Sequence, residues 1–127
     1  MKRDLEYLRE ILLTIESAGP KDRPTCQNFM PEKDNMDDFI KASFHISLLL
    51  DNNFIELEHE PIFVPGCIWK DYRIQRLTSQ GCDYLDTIRN NEVWSGIKSK
   101  MGTLLESASL STITSVGQAL IKSRLGI

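Results

Sequence analysis

Leu5, Leu8, Leu12 and Ile15 recur at i, i+3, i+7 and i+10, with Ile11 beside them, while Arg3, Glu6, Arg9, Glu10 and Glu16 fall largely elsewhere. That period belongs to a helix with one apolar face. Asp4 suits its amino end, and Ala18-Gly19-Pro20 supplies the expected stop, with glycine free to turn left-handed and proline unable to continue. Across residues 20–36 three prolines and the lack of a helical period predict a loop, with one short strand near residues 25–29. A second helix is predicted over residues 36–50, with Asn35 or Asp37 as its cap. At about 100° per residue, Phe39, Ala42, Ile46, Leu49 and Leu50 share one arc of it, and Ile40, Phe44 and Leu48 a second. The polar face left over is narrow, led by Lys41 and His45, with Ser43 and Ser47 in the gap between the arcs. Such a helix packs on two sides.

After Asp51-Asn52-Asn53, where asparagine tolerates a left-handed helix end, the pattern shortens toward a period of two. Residues 54–58 read as a strand, Pro65-Gly66 as a turn, and residues 67–77, with Trp69, Tyr72 and Ile74, as a second, antiparallel strand. Together they make a hairpin with the long tip PIFVPG. Thr78 can cap the next helix, and Gly81 in its first turn lets that turn lie against the strand just left. Tyr84, Leu85 and Ile88 face inward there, while Asp83, Asp86 and Arg89 face water. Asn90-Asn91 interrupts, and Glu92 restarts a helix carrying Val93, Trp94, Ile97 and Met101. A final amphipathic helix, capped at Ser109 or Ser111, places Leu110, Ile113, Gly117, Leu120 and Ile121 near one face, with Lys122 and Arg124 where the helix dipole favours cations. Helix, loop, helix, hairpin wing, helix is the order of a winged helix. The expectation is an α+β, winged-helix-like domain over residues 1–101, with a C-terminal helical extension over 102–127 packed on it.

Composition narrows the function classes. At 127 residues the chain can bury a core without disulfides or metal, and 41% hydrophobic with 26% charged residues argues against wholesale disorder. No apolar run approaches the roughly 20 residues of a membrane span. The start, MKRDLEYLRE, places charges where a signal peptide needs its apolar region, so the expected location is cytoplasmic. Cys26, Cys67 and Cys82 are too few and too widely spaced for a disulfide framework, and neither His45 nor His59 has a second ligand at a helical spacing. Neither a metal nor a cofactor is expected. The net charge of −3 is unevenly spread: eight acids face two bases from Glu32 to Glu60. By contrast, Lys70, Arg73 and Arg76 outweigh Asp71 from Cys67 to Arg76, and four bases outweigh Glu106 from Ser95 onward. An anionic partner would meet these later segments.

Three stretches, MKRDLEYLREILLTIE, FHISLLLDNNFIE and LTSQGCDYLDTIRNNEVWSGIKSK, resemble the opening, middle and late motifs of an uncharacterised bacterial and phage family, a domain of unknown function with winged-helix-like topology. The last is the most specific, combining a threonine cap, an early glycine, LD, IR and a tryptophan before a lysine-rich turn. The resemblance implies a small, intracellular, often prophage-borne protein with no established activity or cofactor, and it supplies no catalytic residues. Asn53 stands where the family commonly has glycine, and the hairpin tip is this chain's own.

Two readings of function stay open. Winged helices commonly set one helix in the DNA major groove and a basic wing on the backbone, which nominates Lys70, Arg73 and Arg76. By strand parity Lys70 and Arg76 share one face and Arg73 the other, and Asp37 and Asp38 crowd the helix that should read bases. The simpler account of that strand is a solvated face beside core aromatics. The favoured reading is a non-enzymatic module for protein interaction or self-association. It uses Ile40, Phe44 and Leu48, which together contribute on the order of 5 kcal/mol if buried, with Leu110, Ile113, Gly117, Leu120 and Ile121 as the facing surface or a dimer contact. Those two surfaces can equally cover each other within one monomer. Asp83 and Asp86 are the only catalytic candidates, and no base, nucleophile or phosphate loop accompanies them, so no enzyme is expected.

Overall fold

Asp4 opens α1 (Leu5–Ser17) by accepting a hydrogen bond from the Tyr7 amide at 3.1 Å. The computed structural model describes residues 1–126. It is α+β: α1, α2 (Met36–Asp51), β1 (Ile55–Leu57), β2 (Ile74–Leu77), α3 (Ser79–Ile88), α4 (Asn91–Met101) and α5 (Leu110–Leu125) follow one another, with 3-10 segments at Cys26–Phe29 and Gly102–Ser107. The helix, loop, helix, hairpin, helix order is therefore as the sequence predicts. Chain contacts divide the described residues into two units, Met1–Gly81 and the remainder from Cys82 onward. The division falls inside α3, and α4 has its main helical partner in α5.

In the first unit Leu8, Ile11 and Leu12 of α1, Ala42, Ile46 and Leu49 of α2, and Ile74 of β2 are buried. The short strand expected near residues 25–29 is instead a 3-10 turn, its Asn28 side chain accepting from the Thr25 amide at 2.9 Å. Pro24 reaches the sheet, its carbonyl accepting from the Ile74 amide at 2.9 Å. α1 ends without a left-handed glycine: Ala18 is extended, and the Gly19 amide donates to the Asp22 carboxylate at 2.8 Å. Asn53 does take the left-handed form, at φ 61°, and turns the chain from α2 into β1.

β1 and β2 pair antiparallel, with Ile55 opposite Leu77, Glu56 opposite Arg76 and Leu57 opposite Ile74. Gln75 is thus an extra residue on β2, a β-bulge. The second strand is shorter than expected, since the ladder beyond it is reduced to an isolated bridge between Ile62 and Asp71. The backbone there is committed elsewhere. Ser43 donates to the Lys70 carbonyl at 2.6 Å, and the Asp71 carboxylate accepts from the Cys26 and Tyr72 amides at 3.1 and 2.8 Å.

Thr78 caps α3 as predicted, accepting from the Gly81 amide at 3.1 Å. The close approach at Gly81 is to the chain entering β1, not to β2: an added Cβ would overlap the Phe54 carbonyl. In the second unit Asn90 caps α4 by accepting from the Glu92 and Val93 amides, and Ser109 caps α5 by accepting from Thr112. Val93, Trp94, Ile97, Leu110 and Ile113 are buried. A Cβ at Gly117 would collide with Thr87 and crowd Ile97 at 3.1 Å, so glycine lets α5 lie close on both.

Candidate functional site

The hairpin carries the nominated cations, and the bulge decides how they are presented. With one extra residue at Gln75, Arg76 stands opposite Glu56, and the Glu58 amide donates to the Arg73 carbonyl at 2.9 Å. Arg73 and Arg76 therefore share one face, against the simple parity expectation, because the bulge resets the alternation between them. That face also holds the acids. Arg76 makes a two-point contact with Glu56 at 3.1 and 3.0 Å. Arg73 is paired with Glu58, which Arg23 approaches at 3.4 Å. Slight desolvation pushes the Glu58 carboxyl up, but the two guanidinium groups outweigh it and hold the carboxyl below its ordinary range. Lys70 sits apart, its ammonium 5.9 Å from the centre of the Phe63 ring. Two of the three nominated cations are thus matched by carboxylates of their own hairpin.

The arcs of α2 are shared out differently from the helical-wheel expectation. His45 and Ser43, expected on or beside the polar face, are fully buried, whereas Ile40, Phe44 and Leu48 are half-buried. The reason is hydrogen bonding. His45 Nε2 accepts from the Asp4 amide at 2.9 Å, its Nδ1 donates to the Lys41 carbonyl at 2.7 Å, and Ser43 is tied to Lys70. Phe44 meets Trp69 edge to face at 6.2 Å. On α5, Leu110, Ile113 and Gly117 are buried, while Leu120 and Ile121 are half-exposed.

The sequence reading passed over the most exposed apolar group in the first unit. At the hairpin tip Phe63 is 75% and Ile68 88% exposed, with Ile62 exposed beside them. The segment is not loose: amide–carbonyl bonds join Ile62 and Asp71 in both directions at 2.8 and 3.0 Å, and the Cys67 amide closes the turn on the Val64 carbonyl at 3.1 Å. The signal was present as Ile-Phe-Val between two prolines, a run with no polar alternation to turn it inward. Beside the tip lies a groove of about 200 Å³, lined by Met30, Met36, Phe39 and Val64 together with the charged Lys33, Asp34 and Asp71. Lys33 is bonded to the Gln27 carbonyl, and Asp71 holds two backbone amides.

Among the described residues no three histidine, cysteine, aspartate or glutamate side chains gather where they could hold a metal. Cys26 is buried, and its burial, together with the Asp71 carboxylate, pushes the thiol far above its ordinary range. Asp83 and Asp86 are both exposed on α3, with Asp86 in an ion pair to Arg89 at 2.8 Å. No helix among the described residues is long and apolar enough to cross a membrane.

A protein family described as hypothetical protein (DUF2513) matches the chain over residues 2–109. The chain belongs to this family. An uncharacterized protein of Haemophilus influenzae is 29% identical to it over 126 residues, covering 98% of this chain and 99% of that protein. No solved structure matches. This DUF2513 chain therefore has bacterial kin along nearly its whole length, and its function has to be argued from its surfaces.

Proposed function

We propose that this DUF2513 protein is a non-enzymatic binding module of bacterial or prophage origin, working in the cytoplasm, that engages protein through the apolar tip of a winged-helix-like wing. One observation carries the reading: Phe63 and Ile68 are held out to solvent on a segment fixed by backbone bonds and by the Ser43 link to Lys70. Large apolar side chains presented rigidly cost little ordering entropy on binding and supply the area that anchors interfaces. The half-buried arc of Ile40, Phe44 and Leu48 adjoins the wing through the Phe44–Trp69 contact and is a second surface of the same module.

A photoreactive p-benzoylphenylalanine at position 63 should give one discrete cross-linked protein product in cells, and the same probe at the exposed, carboxylate-paired position 76 should give none. No product at position 63 would remove this reading. The alternative, DNA binding by the wing, is disfavoured because Arg73 and Arg76 already face Glu58 and Glu56. Phosphate neutralisation needs cations that can be given up to the backbone. We expect no mobility shift with duplex DNA at low salt. A shift lost on Lys70→Ala and weakened by salt would favour the wing as a nucleic-acid contact instead.

A further inference from the structure

The wing tip and the groove beside it have complementary characters. The tip joins exposed Phe63 and Ile68 to the Lys70 ammonium, which lies 5.9 Å from the Phe63 ring centre. The groove joins exposed Met36 and half-buried Phe39 and Val64 to Asp34 in its lining. Of the other charged groups lining it, Lys33 and Asp71 are already bonded within the chain. Among the described residues Asp34 and the nearby Asp37 carry no ion pair. One surface is apolar and basic, the other apolar and acidic. Val64 belongs to both, being part of the tip and of the groove wall. A chain cannot fold its own rigid tip into the groove that the tip helps to wall.

We propose that the occupant of the groove is the wing tip of a second copy of this chain. Resting on the protein-binding reading of the tip, the inference names its partner. Phe63 of each copy enters the groove of the other between Met36 and Phe39, and Lys70 of each copy faces Asp34 of the other. Because tip and groove adjoin at Val64, a two-fold axis passing near that residue forms both contacts at once, so every favourable pair occurs twice in a closed dimer. Electrostatic complementarity fixes the register, and the aromatic anchor supplies the hold.

Sedimentation velocity on the full chain should show a concentration-dependent monomer–dimer equilibrium. Phe63→Ser should raise its Kd by about tenfold or more, as for a central aromatic anchor. Lys70→Glu and Asp34→Lys, both at exposed positions, should each weaken self-association by setting like charges against each other twice. The deciding experiment mixes these two variants. In the mixed dimer each altered residue meets its complement and each unaltered residue keeps one, so the pair should associate more tightly than either variant does alone. Circular dichroism should show both variants folded. A full chain that stays monomeric, or a dimer indifferent to all three substitutions, overturns the proposal. The position-63 probe separates this failure from that of the broader reading. A cross-link to a different protein leaves protein binding standing and removes the second copy, whereas no cross-link removes both.

Discussion

His45 is buried with both ring nitrogens committed, Nδ1 as donor to the Lys41 carbonyl and Nε2 as acceptor from the Asp4 amide. The ring is therefore held neutral, since a second proton would point at an N–H group. Burial is the largest influence and lowers its pKa below 6.5; the Lys41 carbonyl and the Asp4 carboxylate oppose this in part, while the Lys41 ammonium adds to it. The rings of Tyr7 and Phe44, 4.8 and 5.2 Å away, complete the surroundings without charge. Because the unfolded chain takes up this proton first, the stability His45 contributes is complete above pH 6.5 and is lost as pH falls toward the depressed native value. The slope is at most about 1.4 kcal/mol per pH unit for one proton. Asp4 and Glu58, whose pKa values are also lowered, act only below their ordinary values of 3.8 and 4.5. Denaturant midpoints should thus fall between pH 7 and 5, and His45→Gln should flatten that fall, its amide oxygen replacing the acceptor. An unchanged pH profile in the variant would dismiss the assignment. Helical periodicity misplaced His45 because it scores hydrophobicity and is blind to a backbone amide that needs an acceptor 41 residues away. Trp94 was legible from the same kind of pattern, being large, apolar and in phase with Ile97. It is 3% exposed with Lys98 over its ring, and Trp94→Ala should cost roughly 3–5 kcal/mol in chemical denaturation.

Helices and caps were the most readable elements, since Asp4, Asn35, Thr78 and Ser109 all cap where short polar residues precede an apolar period. The hairpin was less so. Its register turns on the single extra residue Gln75, and no alternation rule identifies which residue of a mixed strand will bulge. The consequence is chemical as well as geometric, because the bulge aligns Arg73 and Arg76 with Glu58 and Glu56. Replacing both acids, Glu56→Gln with Glu58→Gln, should release two cations on one face and create salt-sensitive binding to duplex DNA that the unmodified protein lacks. Failure to gain any affinity would mean that something other than local pairing keeps this wing off phosphate. Gly81 was recognised as a close-approach residue, but its neighbour is the Phe54 carbonyl at the entrance to β1. Gly81→Ala forces a methyl group against backbone that also accepts from the Thr78 amide at 2.9 Å. Overpacking of this kind should cost on the order of 3 kcal/mol, measurable as a lowered Tm.

For the whole molecule, element order and α+β class could be read from periodicity. The break at Asn90-Asn91 looks like an interruption within one domain, yet it starts α4, whose principal partner is α5, the next α-helix along the chain. In the second unit Ile97 and Leu110 are buried, Gly117 admits Thr87 and Ile97, and Arg124 is paired with Glu92 across the two helices. Truncation before Ser109 removes the buried Leu110 and Ile113 together and uncovers the Ile97 face of α4. Burying two such aliphatic side chains contributes roughly 3–6 kcal/mol, which is a large fraction of the stability of a unit this small. The amides of α4 should therefore lose hydrogen-exchange protection in the truncated chain. Those of α1 and α2, whose core of Leu8, Leu12, Ile46 and Leu49 lies in the first unit, should keep theirs. Uniform loss of protection across all four helices would mean that the two units unfold as one cooperative structure. Unchanged protection in α4 would mean that α5 contributes nothing to its stability.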